Sequence, residues 1–243
     1  MQIRNRRRLI AAGAAGAVAL AAIAIAFVYF VIFPSSSPQK LALSAATSTP
    51  SSSTSASADA AAGTGTWTVT SGSQAGYRVR EQLAFVGAPS DAVGRTSSVQ
   101  GTVTVSQSGS AYSVPAASLK VDVSTLASDQ NMRDRRIKSM GLESNRYPQA
   151  TFTLTEPIAV PAEVASGQTV HVSATGQLTI HGSTQTVSIP IDARLAGSQM
   201  ELVGSVTFPF SQFGMTPPSI GGFVSVQNNA TMEFDLKLVR QAG

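Results

Sequence analysis

The sequence predicts an all-β domain that closes into an antiparallel barrel with one short helix, preceded by a transmembrane helix and a disordered tether. Three features support this prediction: an uncharged apolar run at residues 9–33, a Ser/Thr/Ala/Pro-rich stretch at 34–65, and period-two alternation of apolar and polar residues within 66–243. The chain therefore divides into a basic tail at 1–8, an apolar span, a linker and one folded domain.

The N-terminal segments predict where the chain is located. Arg4, Arg6, Arg7 and Arg8 precede the apolar run, which is long enough to cross a bilayer as one helix. By the positive-inside rule the arginines stay in the cytoplasm, so we expect a single-pass plasma-membrane protein whose barrel lies outside the cytoplasm. The alternative is a cleaved signal peptide, with a possible cleavage site at 42–45, but signal peptides have apolar regions of only about 7–15 residues.

Charge and cysteine content narrow the possible partners. The basic tail and Lys40 take 5 of the 17 basic residues, and Asp59 takes 1 of the 13 acidic residues, so 12 of each remain beyond the linker. A domain without net charge lacks the basic face that collects phosphates, so we expect no nucleic-acid partner. Because the sequence has no cysteine, it can form no disulfide and no thiolate metal site.

The linker, residues 34–65, contains almost no bulky side chains and cannot bury enough surface to order its backbone. A coil of roughly 30 residues has an end-to-end distance on the order of 30 Å. We therefore expect a flexible tether that lets the barrel reach the membrane surface.

Two Gly-Ser pairs, at 182–183 and 197–198, predict two-residue hairpin turns. The predicted cross-strand pairs are His181 with Thr184, Leu178 with Val187, Leu195 with Met200 and Ile191 with Gly204. In this register one face stays apolar across three strands, whereas a slip of one residue would turn a strand inside out. An apolar face of this length must be covered, which favours closure into a barrel over the alternative of two packed sheets.

The residues that face inward on the alternating strands are expected to form an apolar interior that binds a ligand. They are Val103, Val121, Ala174, Gly176, Leu178, Val187, Ile189, Ile191, Ala193, Gly204, Val206, Phe208 and Phe234. The small residues among them either leave a narrow apolar channel or lie opposite large ones and fill the barrel. No charge is evident on these faces, so any ligand would be mostly apolar, with a polar end at the barrel mouth.

The one predicted helix covers about residues 129–140, with Asp129 as its cap and Gly141 as its stop. Its basic side chains form either a solvated face or a site for an acidic lipid head group. Arg133 and Arg136 are the candidates for head-group contacts, because a guanidinium group presents forked donors to phosphate oxygens.

The two histidines, His171 and His181, are the candidates for catalysis or metal binding. Asp192 is the acid nearest to His171 in the inferred pairing, and both histidines fall on an exposed face or at a turn. The ligand spacing of known metal and catalytic sites is absent. We therefore expect no catalytic residue, no metal, no cofactor and no enzymatic activity.

Three motifs occur in an order that is characteristic of one family. They are LTIHG at 178–182 followed by Thr184 and Val187, NMRD at 131–134 leading to YPQATF at 147–152, and FGM at 213–215 leading to VSV at 224–226. Together they resemble the YceI-like proteins, a lipocalin-like group of exported or periplasmic barrels associated with polyisoprenoid binding. The resemblance covers about 67–240 and implies an eight-stranded barrel with a helix near one end and an isoprenoid or amphiphilic chain inside.

The sequence also departs from that family pattern. Arg136-Ile137 stands where family members often carry a His-Leu pair, and Met-Gly-Leu at 140–142 stands where they often carry aromatics. Two functions from different classes remain. The protein holds a long apolar ligand, polyisoprenoid-type or amphiphilic, inside its barrel, or it is a structural or protein-interaction barrel on a stalk without a ligand. The resemblance favours the first.

Overall fold

The computed structural model describes residues 37–44, 63–83, 89–220 and 224–241. The predicted basic tail and transmembrane run lie outside these residues, as does most of the predicted linker. No helix in the described ranges is long and apolar enough to cross a membrane. The described residues from Gln39 onward belong to one compact unit.

The described part of the chain is built almost entirely of β-strands. The strands are β1 Gly65–Val69, β2 Gln74–Leu83, β3 Ser90–Thr96, β4 Val99–Ser108, β5 Ala111–Asp122, β6 Gln149–Leu154, β7 Ile158–Val160, β8 Val170–Ile180, β9 Ser183–Ala196, β10 Gln199–Pro209, β11 Ser219–Ile220 and β12 Val224–Arg240. Helix α1 covers Asn131–Arg136 and continues as a π-helical turn over Ile137–Gly141. Short 3₁₀ turns cover Val123–Thr125, Ala162–Ser166 and Phe210–Phe213.

The strands close into an eight-stranded antiparallel barrel, as predicted. The closed order is β1-β4-β5-β6-β8-β9-β10-β12, and β12 returns to pair with β1. The long strand β12 also pairs with β2, and β2 pairs with β3, so these two strands extend the wall beyond β1 and β4. Closure removes the sheet edges that would otherwise expose unpaired backbone groups, and the alternative of two packed sheets is wrong.

The first hairpin differs from its predicted register, whereas the second agrees with it. Ile180 pairs with Ser183, so the turn residues are His181 and Gly182 rather than Gly182 and Ser183. Both turn residues have positive φ, 53° and 71°, which a type I′ turn requires and which matches the twist of the flanking strands. The β9 partner of each β8 residue is displaced by two positions from the predicted one, so every side chain keeps its predicted face.

At the second hairpin, Met200 pairs with Leu195 and Gly204 pairs with Ile191, which confirms the predicted register.

The helix begins later than predicted, and Asp129 does not cap it. The first helical residue is Asn131, and the side chain of Gln130, at the cap position, makes no capping hydrogen bond. Asp129 instead pairs with Arg133 one turn later. Asp134 accepts hydrogen bonds from the backbone N–H of Ser128 at 3.0 Å and from its hydroxyl at 2.7 Å, and thereby fixes the chain entering the helix.

The barrel interior contains two clusters of buried apolar residues. One cluster gathers around Phe208 and Phe213, whose rings meet edge to face at 4.7 Å between centroids, with Leu126 and Leu178. The other contains Trp67, which is 1% exposed. Alternation along the strands places both clusters inside, because successive side chains point to opposite faces of a strand.

Candidate ligand-binding site

Two apolar cavities lie next to each other inside the barrel. Their volumes are about 70 Å³ and about 90 Å³. Among the described residues that line the cavities, Thr151 and Glu233 at the smaller cavity and Tyr112 at the larger one are the ones with polar side chains, and the Glu233 side chain points to the outer wall, where it pairs with Arg95. Surfaces of this kind accept hydrocarbon and offer few hydrogen bonds to a polar ligand.

A partition separates the two cavities. The residues that border both are Leu119, Phe152, Ala174, Ile191, Phe234 and Leu236. The two phenylalanine rings are the largest side chains in this set. A ligand longer than one cavity would therefore have to move these rings.

The inward glycines make room for those rings and do not create a channel themselves. A Cβ atom at Gly176 would lie 2.5 Å from Cζ of Phe152, and one at Gly204 would lie 2.5 Å from Cζ of Phe234. The interpretation that small residues lie opposite large ones is therefore right for both glycines. Open space instead adjoins Ala174 and Ala193, which border the cavities.

The thirteen residues predicted to form the interior separate into two groups. The nine that border a cavity are Val103, Val121, Ala174, Leu178, Ile189, Ile191, Ala193, Val206 and Phe234. Val187 and Phe208 are buried in the core cluster around Phe213, and Gly176 and Gly204 lie under the phenylalanine rings. Contact of any of these thirteen residues with a ligand stays a prediction.

Three partition residues were not among the predicted site residues. Leu119 and Leu236 lie on alternating strands, two residues from Val121 and Phe234, so strict period two would have included them. The alternation that would identify Phe152 as inward is weaker, because its strand β6 has only six residues.

Arg133, predicted to contact a head group, is held by acidic side chains of the protein. Its Nε and Nη2 donate to the two carboxylate oxygens of Glu81 at 3.2 and 3.0 Å. Burial alone would lower the pKa of Arg133, but the hydrogen bonds to Glu81 and Asp129 outweigh burial and raise it. A head group would have to compete with Glu81 for this guanidinium. Arg136 is half-buried in the last turn of α1, and its role stays a prediction.

Tyr77 brings a polar group to the same end of the barrel. Its ring packs against the core cluster around Phe213, and its hydroxyl lies near Ser128, Arg133 and Glu81. Burial raises the pKa of Tyr77 far above its usual value, so this hydroxyl stays protonated. The polar side chains at this end therefore include a neutral donor as well as the Arg133 ion pair.

The two histidines occupy structural positions. His171 Nδ1 lies 2.6 Å from Asp192 Oδ1 on the exposed outer wall, where the two residues are cross-strand partners. His181 Nε2 lies 3.5 Å from Glu143 Oε1, and its ring centroid is 4.7 Å from that of Tyr147. The two contacts of His181 hold the β8–β9 turn against Glu143 and Tyr147. Among the described residues, no group of three His, Cys, Asp or Glu side chains could hold a metal ion.

Fold and interior together define a small antiparallel barrel with an apolar interior, a class in which side chains fill the interior or one small ligand occupies it. The chain belongs to the YceI-like family, because the YceI-like domain matches residues 67–238. No curated protein matches the chain.

Three solved structures are similar to this chain. A polyisoprenoid binding domain from Saccharophagus degradans is 13% identical, with 73% of this chain and 99% of that chain covered and a TM-score of 0.51. Burkholderia cenocepacia BcnA is 20% identical, with 67% and 95% covered and a TM-score of 0.48. A YceI protein from Campylobacter jejuni is 11% identical, with 58% and 81% covered and a TM-score of 0.44. At 13% identity, the similarity to the Saccharophagus degradans structure shows the fold alone.

Proposed function

We propose that this protein holds a long apolar chain, of polyisoprenoid or similar amphiphilic type, inside its barrel. The observation that carries the proposal is the pair of adjoining apolar cavities at the centre of the barrel. Each buried methylene group of a ligand contributes about 0.8 kcal/mol, so a chain that fills such a space binds through its hydrocarbon alone. We expect no enzymatic activity.

The sizes of the cavities require the interior to adapt. Each cavity, at about 70 and about 90 Å³, is smaller than the roughly 150 Å³ space that accepts benzene in an engineered protein. A long chain therefore has to pass through both cavities. We infer that it does so by turning the Phe152 and Phe234 rings, which border both.

The class of ligand is supported by a solved structure of the same fold. The Saccharophagus degradans protein is a polyisoprenoid binding domain, and this chain shares its fold. A polar end of the ligand would lie at the Tyr77 and Arg133 end of the barrel, where the described polar side chains approach the interior.

A ligand-free structural barrel on a stalk is the second candidate. The observation that favours it is the close fit of Phe152 against Gly176 and of Phe234 against Gly204, which fills part of the interior.

Native mass spectrometry of the full chain, released gently from its own membranes, separates the two candidates. We expect a mass above that of the polypeptide, lost on denaturation and identified after extraction as a compound with a long apolar chain. Recovery of the bare polypeptide alone would favour the ligand-free barrel.

We also propose that the barrel lies outside the cytoplasm on a single-pass anchor, because four arginines precede the uncharged run at 9–33. Protease added to intact cells should then remove the barrel. Survival of the barrel in intact cells, with digestion only after lysis, would contradict this topology.

A further inference from the structure

Several charged residues on the outer wall of the barrel are buried, although outward-facing positions of a barrel normally meet solvent. Glu201 is 3% exposed and Glu233 is 4% exposed, on β10 and β12. Charged side chains are almost never this buried unless they are paired and covered. Two outward-facing valines, Val93 and Val203, are buried as well. These positions indicate that something lies across this part of the wall.

The segment Gln39–Ser44 is hydrogen bonded to this wall, and its last residue meets a row of charges. Arg194, Glu201 and Lys237 are cross-strand partners on β9, β10 and β12. Glu201 accepts hydrogen bonds from the Ser44 backbone N–H at 2.9 Å and from its hydroxyl at 2.6 Å. Arg194 donates to the Ser44 carbonyl at 2.7 Å, and Lys237 donates to the Ser44 hydroxyl at 3.1 Å. Every polar group of Ser44 is therefore engaged.

Glu201 makes the central contacts at the Ser44 end of the segment, because it binds Ser44, Arg194 and Lys237. Burial alone would raise its pKa, but hydrogen bonds from Lys237, Ser44 and Arg194 outweigh burial and hold the pKa at about 2. The contribution of the Glu201 carboxylate to holding the segment is therefore complete above the ordinary pKa of 4.5 and is lost only as the pH falls towards about 2.

The other end of the segment meets a second set of charges. The Gln39 carbonyl accepts a hydrogen bond from Arg95 on β3. Arg95 also binds Glu233 at 2.9 Å, and Glu233 lies 3.3 Å from Arg78 on β2. The two ends of the segment are therefore fixed on strands at opposite sides of the covered area.

Geometry agrees with an extended segment between these ends. Five residue steps of about 3.4 Å reach roughly 17 Å, and the four strand intervals from β9 to β3, at about 4.8 Å each, cover roughly 19 Å. Long side chains on Arg95 and Arg194 close the difference. Between the two anchored ends, Leu41 and Leu43 are half-buried while Lys40 and Ala42 are exposed, which is the alternation of an extended chain with one face on a surface.

We propose that Gln39–Ser44 is a strap that docks on the outer wall of β3, β2, β12, β10 and β9 and ties the linker to its own barrel.

The short connection between strap and barrel favours docking of the strap on its own barrel over docking on the barrel of a second molecule. Lys237, which binds Ser44, accepts a hydrogen bond at its carbonyl from the N–H of Thr70, directly after β1. The 18 residues at 45–62 can extend to about 60 Å, far more than is needed to return from this wall to the start of β1. A connection of this length gives a local strap concentration in the millimolar range, above that of a second molecule.

Trypsin provides a direct test, because Lys40 is the sole lysine or arginine between Arg8 and Arg78. A docked strap has to open before the Lys40–Leu41 bond can be cut, so the cleavage rate reports the open fraction. In the full chain, Ser44→Pro removes both hydrogen bonds that Ser44 donates to the Glu201 carboxylate. We expect cleavage at Lys40 to become faster by on the order of tenfold, with the melting temperature of the barrel unchanged.

The control is Ser48→Pro, the same replacement four residues further along the linker, which should cleave like the wild type. Each rate is divided by that of a synthetic peptide with the same sequence, so that effects on trypsin itself cancel. Wild-type cleavage as fast as that of its peptide, or equal rates in wild type and Ser44→Pro, would overturn the proposal. Protection that increases with protein concentration would also overturn it, since a second copy would then supply the strap.

Discussion

Replacing Gly176 with alanine is expected to destabilise the barrel by about 3 kcal/mol and to lower its Tm by roughly 6–12 °C. The new Cβ would lie 2.4 Å from the Thr153 carbonyl oxygen and 2.5 Å from Cζ of Phe152. The phenyl ring could swing aside, but the carbonyl belongs to the backbone of β6 and is held in the sheet. Thermal and denaturant unfolding of the full chain measure the change.

Gly141→Ala is the matched control for this prediction. A Cβ at Gly141 would meet only Cγ1 of Ile137, at 4.0 Å, and the residue lies in a helical turn. Alanine there is expected to be neutral or to stabilise the protein by up to about 1 kcal/mol. Equal stability of both variants would contradict the close approach of the Thr153 carbonyl to Gly176.

The inward and outward faces of the strands could be predicted from sequence because the side-chain period of a strand is two. The β8–β9 register could not, because two possible turns, one residue apart along the chain, leave every side chain on the same face. In the observed turn, Tyr147 and Glu143 lie against His181. These are long-range contacts that local sequence does not encode.

The site was predictable in its chemistry and less so in its shape. Alternation identified Ala193 and Ile191 as inward, and both border a cavity. The roles of Gly176 and Gly204 depend on which aromatic ring crosses each glycine from a neighbouring strand. The docking of Gln39–Ser44 was hidden for another reason: its composition is that of a linker, and its binding partners lie about 150 residues or more away on the barrel wall, except for Arg95.

Replacing Ala193 with leucine is expected to remove the ligand and leave the barrel folded. Ala193 is buried and borders the cavity of about 90 Å³, and its added carbon atoms would occupy space that a ligand needs. Because the side chain fills an existing cavity, the free energy of unfolding should change by less than about 1 kcal/mol. A barrel that is packed solid would instead lose about 1–3 kcal/mol through overpacking.

Ala116→Leu is the control for that substitution. Ala116 lies on β5 of the same barrel but is exposed on the outer wall, so a leucine there adds the same atoms without entering a cavity. It should leave both ligand content and stability unchanged.

The central claim, that the barrel interior holds a long apolar chain, is tested most directly by the amount of lipid extracted per mole of purified protein. The wild type, Ala193→Leu and Ala116→Leu would be expressed in the same cells and purified in the same way. We predict that wild type and Ala116→Leu carry a near-stoichiometric apolar compound, and that Ala193→Leu carries almost none while keeping its Tm. Equal lipid content in Ala193→Leu and wild type, or no lipid in any of the three, would contradict the claim.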